Sequence, residues 1–145
     1  MTARAGRDVG EPRLILLDTN VMIHYLKGDP AIVTRIYNTS RAELALPAIV
    51  AYELEYGTLR SKLPARRRRE LEAGLAHIQH LPFDSAAATA AAGIRVELEQ
   101  RGCKIEPLDL LIAGITLSRG AALVTSNIAE FSRVPRLRVL DWRSA

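Results

Sequence analysis

The chain has 145 residues, 48% of them hydrophobic, and its 20 Lys and Arg against 16 Asp and Glu give a formal net charge of +4. This composition predicts a soluble globular protein and excludes a membrane-spanning one, because no stretch approaches about 18 consecutive apolar residues. The chain has no signal-peptide pattern and a single cysteine, which excludes an internal disulfide, so we expect a cytoplasmic protein with a mild preference for polyanionic partners.

The N-terminal part of the chain divides into a polar leader and a hydrophobic strand. Residues 1–12 show no periodicity and predict a disordered leader, followed by a single domain over 13–145. Four consecutive aliphatic residues, 14–17, predict a strand buried on both faces of a parallel sheet. The strand ends on Asp18, at the kind of position where ligands collect in open α/β sheets. The alternative is that Asp18 only caps the following helix.

A second strand and a third helix follow two short helices predicted over 21–27 and 30–38. Residues 43–46 form the strand, and Pro47 starts a helix that carries Glu53. Glu53 lies at helical spacing before Gly57, a small residue that permits close approach of another element. The alternative is a solvated glutamate on an amphipathic helix.

A basic run occupies residues 60–69 and contains no acid. It predicts a helix whose apolar side continues through Leu71, Leu75 and Ile78. Its arginines predict either a solvated helix face or a phosphate-binding surface, and both interpretations stay open. The four consecutive members are Arg66, Arg67, Arg68 and Arg69.

The C-terminal half supplies another acid at a helix start. An edge strand over 81–83 and a long alanine-rich helix over 85–101 precede a helix that begins at Pro107 and has Asp109 in its first turn. Asp109 is flanked by leucines, and a buried carboxylate needs either hydrogen-bond donors, such as backbone N–H groups, or a cation. A buried strand over 120–124 then ends in the polar turn 125–127, and a last strand covers 137–140.

This alternation predicts a three-layer α/β/α sandwich on a mainly parallel sheet of about five strands. The turn 125–127 would then meet Asp18, Glu53 and Asp109 at one end of the sheet. Clustered carboxylates repel one another and need positive charge between them. Hard oxygen ligands without nearby cysteine or paired histidine suit Mg²⁺ or Mn²⁺ rather than zinc.

Four segments, in order and spacing, resemble the PIN-domain family, and more narrowly the VapC toxins of bacterial VapBC toxin–antitoxin pairs. They are Leu-Asp-Thr-Asn, Tyr-Glu-Leu-Glu-Tyr-Gly, Asp-Leu-Leu-Ile-Ala-Gly and Val-Thr-Ser-Asn-Ile-Ala-Glu-Phe, and the similarity covers about Leu14 to Trp142. The resemblance implies a PIN-like fold and a Mg²⁺-dependent endoribonuclease, with Mn²⁺ as an alternative metal, that acts as the toxin of such a pair.

The resemblance also implies roles for individual residues. Asp18 and Asp109 would be direct metal ligands, and Glu53 would help to hold metal or activate water. Many relatives carry a fourth acid where this chain has Asn127, which leaves a second metal in question unless Glu130 or a water completes the site. The remaining implied supporting residues are Thr125, as a hydroxyl behind the ligands, and Asn20, which would orient Asp18 or a substrate phosphate.

The partners implied by the resemblance are an RNA substrate, most often tRNA among relatives, a second copy of the chain, and a VapB antitoxin. The C-terminal segment of the antitoxin would occupy the active-site groove, and Arg66 to Arg69 would guide the RNA. One alternative is a degenerate, non-catalytic PIN module that acts as a binding protein, for which Asn127 is the main support. Another is a phosphatase of the haloacid dehalogenase type, which normally needs a second Asp where this chain has Asn20.

Overall fold

One sheet of five short parallel strands forms the centre of the fold. The structure is a computed structural model and describes residues 14–143, so the predicted leader over 1–12 lies outside the described residues. The strands lie in the order β3-β2-β1-β4-β5, and all four neighbouring pairs are parallel. The strands are β1 (Ile15–Leu17), β2 (Leu44–Pro47), β3 (Gln79–Leu81), β4 (Ala122–Val124) and β5 (Arg138–Leu140).

Helices connect the strands and confirm the predicted α/β sandwich. Pro30, Pro64 and Pro107 each stand in the first turn of a helix, where the missing N–H has no intrahelical partner to lose. The helices are α1 (Thr19–Leu26), α2 (Pro30–Tyr37), α3 (Ala48–Leu59), α4 (Pro64–Leu75), α5 (Ser85–Gln100), α6 (Pro107–Ser118) and α7 (Ile128–Phe131), with a short 3-10 helix at Arg41–Glu43.

The prediction of one continuous helix through the basic run was wrong. Residues 60–63 separate α3 from α4, because Pro64 favours a helix start and disfavours helical backbone at the residue before it. Ile78 is buried, as predicted, but it lies in the connection between α4 and β3. The third strand is at the sheet edge, as predicted, but it ends at Leu81, before Pro82.

The strand order creates a switch point between β1 and β4. From β1 the chain builds the sheet outward through β2 and β3, and then returns to place β4 on the other side of β1. Leu17 pairs with Val124, so Asp18 and Thr125 follow the two strands side by side. Ligands in open α/β sheets bind in the crevice beyond the carboxyl ends of strands at such a point.

The hydrophobic core lies on the sheet and fixes this edge. Leu16, Leu17, Leu46 and Leu123 have no exposed surface, and neither has Phe131 of α7. Asp18 and Thr125 directly follow strands whose side chains pack in this core. The core therefore holds the backbone of both residues in a fixed position.

Candidate active site at the carboxyl edge of the sheet

Asp18 is both a helix cap and a buried acid. It is the N-cap residue of α1, and only 4% of its surface is exposed. Its Oδ1 accepts a hydrogen bond from the backbone N–H of Thr19 at 2.8 Å, and its Oδ2 accepts one from the hydroxyl of Thr125 at 2.6 Å. The two interpretations of Asp18 are therefore compatible, because the cap holds the carboxylate in place at the switch point.

Thr125 links the ends of two strands. It is 1% exposed, donates its hydroxyl proton to Asp18, and accepts a hydrogen bond from the backbone N–H of Asn127 at 2.9 Å. The contact made by Asn127 is thus through its backbone, and the structure brings Thr125 rather than the Asn127 side chain to Asp18. Asn20 is exposed in the first turn of α1 and is not one of the groups that hold Asp18.

Asp109 lies in the first turn of α6 and meets a second acid, Glu130 of α7. Partial burial is the main cause that raises the pKa of Asp109 to about 8, and the hydrogen bond with Glu130 adds to it. The negative charges of Asp18, Glu130 and Glu106 raise it further. Burial and the neighbouring acids therefore favour the protonated form of Asp109 in the metal-free protein.

Glu130 acts electrostatically on both aspartates, and its role as a replacement for the fourth acid stays a prediction. Its Oε2 is buried and has no hydrogen-bond partner among the described residues. Burial raises the pKa of Asp18, and the charge of Glu130 adds to that effect against the lowering hydrogen bonds from Thr125 and Thr19. Glu130, three residues beyond Asn127, is thus the acid of α7 whose charge acts on the two aspartates.

Glu53 reaches the same edge through Thr19. It is half-buried on α3, and its Oε1 accepts a hydrogen bond from the hydroxyl of Thr19 at 2.5 Å. The sequence analysis assigned no role to Thr19 and missed this contact. The signal available was its position in the Asp-Thr-Asn segment, directly after the acid at the end of β1.

Comparison with known proteins agrees with this arrangement. Residues 15–137 match the PIN domain family. The chain belongs to the PIN domain family. It is 39% identical over 127 residues to the tRNA(fMet)-specific endonuclease VapC of Shigella flexneri, covering 88% of this chain and 96% of the relative. It is 32% identical over 134 residues to ribonuclease VapC2 of Rickettsia felis, covering 89% and 98%.

Solved structures give the same result for the fold. The crystal structure of DNA-bound VapBC from Salmonella typhimurium matches this PIN domain with a TM-score of 0.84 at 34% identity, covering 89% of this chain and 98% of that chain. The VapBC2 structure from Rickettsia felis, bound to a promoter DNA fragment, matches with a TM-score of 0.82 at 30% identity, covering 89% and 98%. The resemblance stated from the four sequence segments is therefore confirmed.

The carboxylates of this PIN domain fit a divalent cation in their chemistry. The charges that act on Asp109 all come from acids, and Glu130 has a buried oxygen without a partner. Within residues 14–143, no three acidic, histidine or cysteine side chains are gathered closely enough to hold an ion alone. Mg²⁺ commonly uses one or two carboxylates and keeps several waters, so the pairs found here suffice for such a site.

The arginine run lies on α4, and most of its members are in ion pairs. Arg66 and Arg67 each contact Glu70 at 3.3 Å, and Arg68 contacts Glu55 at 2.5 Å. Arg69 is exposed on the same helix. The solvated-face and phosphate-binding interpretations both remain predictions.

Proposed function

We propose that this PIN domain protein is the ribonuclease toxin of a toxin–antitoxin pair and that it hydrolyses RNA with Mg²⁺ or Mn²⁺ bound at the switch point. The observation that carries the proposal is the group of acids Asp18, Asp109 and Glu130: burial raises the pKa of the two aspartates, and the negative charges of their neighbours raise it further. Such repulsion makes a divalent cation a favourable ligand. The alternative of a degenerate module has no support, since the acids of the site are present and the named relatives are nucleases.

The residues that would hold the ion are Asp18 and Asp109, with waters in its remaining positions and Glu130 beside them. Thr125 and the backbone of Thr19 fix both oxygens of Asp18, so this carboxylate is already oriented. When bound, the ion supplies a water of lowered pKa and positive charge beside a phosphate oxygen. We assign Glu53 the task of orienting the attacking water and accepting its proton, because its carboxylate faces the same edge through Thr19.

The reaction is in-line attack of a water oxygen on the phosphorus of an RNA phosphodiester. The bond from phosphorus to the 3′ oxygen breaks, and the products are a 5′-phosphate and a 3′-hydroxyl. We propose tRNA as the substrate class, because the Shigella flexneri relative is named a tRNA(fMet)-specific endonuclease. An RNA substrate also places the protein in the cytoplasm. No helix among the described residues is long and apolar enough to cross a membrane.

A VapB antitoxin is the proposed partner, because the solved relatives are VapBC complexes. A groove of about 300 Å³ runs between α1, α3 and α4 beside the site. Glu53 forms part of its wall, so a peptide segment in the groove would cover an active-site acid and block RNA. The apolar members of the wall are Ile23, Leu26, Leu54 and Leu71, and charged ones include Arg67 and Glu70.

A homodimer is the second proposed assembly. One face of α3 exposes three large side chains, Tyr52 at 57%, Tyr56 at 54% and Leu59 at 67%. An exposed apolar stripe of this kind is typical of an interface, and a two-fold symmetric pair would bury it against its own copy.

The test is cleavage of total tRNA by the purified, antitoxin-free protein. We expect discrete fragments with Mg²⁺ or Mn²⁺, no cleavage in EDTA, and a rate at least about 100-fold lower for Asp18→Asn and Asp109→Asn, because each variant loses a carboxylate that would hold the cation whose charge stabilises the transition state. The control is Glu99→Gln, which removes an acid on α5 that pairs with exposed Arg95.

Cleavage that persists in EDTA or in Asp109→Asn would contradict the proposal. A folded protein that neither cleaves RNA nor binds Mn²⁺ would instead favour the alternative of a degenerate, non-catalytic binding module.

A further inference from the structure

Thr19 contacts two acids of the candidate site from a single position. Its backbone N–H donates to Asp18 Oδ1 at 2.8 Å, and its hydroxyl donates to Glu53 Oε1 at 2.5 Å. The second contact joins the start of α1 to the middle of α3, across 34 positions of sequence. One residue thereby fixes the relative placement of Asp18 and Glu53.

The hydroxyl of Thr19 has a restricted direction. Thr19 is the first residue of α1, and its branched Cβ limits the rotation of χ1 in a helix. An O–H···O distance of 2.5 Å is at the short end of the range for a hydroxyl that donates to a charged carboxylate. The hydrogen bond is therefore short, and the rotation of the Thr19 side chain that makes it is limited.

Glu53 has no side-chain neighbour at the position four residues further along its own helix. The neighbour one turn further along α3 is Gly57, and a Cβ added there would meet no atom within 4 Å. A glutamate side chain has several rotatable bonds, and no larger side chain at Gly57 limits them. The hydrogen bond from Thr19 is the contact that orients the Glu53 carboxylate toward the edge of the sheet.

We infer that Thr19 is a positioning residue for the proposed reaction and that it acts through Glu53. The inference rests on the proposed function, because it assigns Glu53 to the attack of water. Asp18 keeps its orientation without the hydroxyl, since it is held by the Thr19 backbone and by Thr125. Loss of the hydroxyl therefore disturbs Glu53 selectively.

The test compares Thr19→Val, which keeps the branched shape and removes the hydroxyl, with Thr19→Ser, which keeps the hydroxyl. We expect Thr19→Val to lower kcat for tRNA cleavage about 10- to 100-fold with KM within about 2-fold, since misplacement of a reacting group costs up to that much. Thr19→Ser should stay within about 3-fold of the unmodified protein, because the serine hydroxyl restores the donor. Thr34→Val, an exposed threonine on α2, is the matched control.

A double-mutant cycle with Glu53→Gln separates positioning from a structural role. If Thr19 acts through Glu53, Thr19→Val lowers kcat in the unmodified background and has no further effect in the Glu53→Gln background. An equal loss in both backgrounds, or an unchanged kcat in Thr19→Val, would overturn the inference.

A second readout keeps this test separate from that of the proposed function. The thermal unfolding midpoint of the metal-free protein is measured for the same four variants of the cycle, with no RNA present. Non-additive midpoints show that the two side chains are coupled, and additive midpoints overturn the coupling. If the unmodified protein cleaves no RNA, the proposed function fails while the midpoints still report on Thr19 and Glu53.

Discussion

At the scale of single residues, the site is an excess of negative charge held in place by hydroxyl groups. Thr125 donates to Asp18, Thr19 donates to Glu53, and the pKa of Asp109 is raised by its burial and by Glu130. The threonines satisfy the carboxylates without neutralising them, since a hydroxyl donates a hydrogen bond but carries no charge. The carboxylates are thus held in place without a neutralising side chain, as expected for the proposed cation site.

The raised pKa of Asp109 predicts how the stability of the metal-free protein depends on pH. The pKa of Asp109 is raised from 3.8 to about 8, so the folded state binds the proton of Asp109 more tightly than the unfolded state. The resulting stability is fully present below about pH 4 and is lost as pH rises toward 8. We measure the thermal unfolding midpoints of Asp109→Asn and of the unmodified protein in EDTA by circular dichroism. The midpoint of Asp109→Asn minus that of the unmodified protein should increase as the pH rises from 5 to about 8. A difference that stays constant over this range would contradict the assignment.

At the scale of elements, α5 and α6 pack unusually close together. Gly114 of α6 is buried, and a Cβ added there would lie 2.8 Å from the backbone oxygen of Ala87 and 2.8 Å from the Cβ of Ala91. This close approach explains the alanine-rich sequence of α5. The contact matters to the site because α6 carries Asp109 in its first turn.

This packing predicts opposite effects at two helical glycines. Gly114→Ala should destabilise the fold by about 1–3 kcal/mol, because the opposing backbone has to move. Gly93→Ala on the exposed side of α5, where a Cβ would meet nothing within 4 Å, should instead stabilise by about 0.5–1 kcal/mol through helix propensity. Thermal unfolding measures both, and a stabilising Gly114→Ala would show that the helices are further apart than described.

At the scale of the whole molecule, the net charge of +4 is distributed unevenly. Acids concentrate at the carboxyl edge of the sheet, while α4 carries four consecutive arginines beside the groove that contains Glu53. The ion pairs of Arg66 and Arg67 with Glu70 are exposed and contribute little to stability. Arg66 and Arg67 can therefore leave Glu70 and bind RNA phosphates with little loss of folding free energy.

The arrangement predicts the salt dependence of RNA binding. In a cleavage-inactive Asp109→Asn background, replacing Arg66, Arg67 and Arg69 with Ala should weaken tRNA binding and flatten the slope of log K against log salt by about 0.7–0.9 per lost phosphate contact. Binding is measured by fluorescence anisotropy at several salt concentrations. The control replaces three exposed arginines elsewhere with Ala, at Arg35, Arg95 and Arg138. If both triple variants show the same slope, the run is only a solvated face.

The types of the elements, the α/β/α sandwich and the family can be predicted from the sequence alone. Leu14 to Leu17 predict a buried strand, and Pro30 and Pro107 mark helix starts, because local hydrophobicity and backbone restriction act between neighbours in the chain. Asp18, Glu53 and Asp109 were predicted as site residues for the same reason, because each lies in a short segment whose local pattern can be interpreted without the rest of the chain. Element boundaries were less certain, as the interruption before Pro64 shows.

Only the tertiary structure decided which side chains meet. The strand order that sets Asp18 beside Thr125 joins residues 107 positions apart, and the Thr19 to Glu53 contact spans 34. The position of Glu130, rather than Asn127, beside Asp109 depends on how α7 turns back over the edge of the sheet. No local periodicity encodes these contacts, because they arise from packing of the whole core, and that packing determines which acids lie close together and which hydroxyl contacts Asp18 and Glu53.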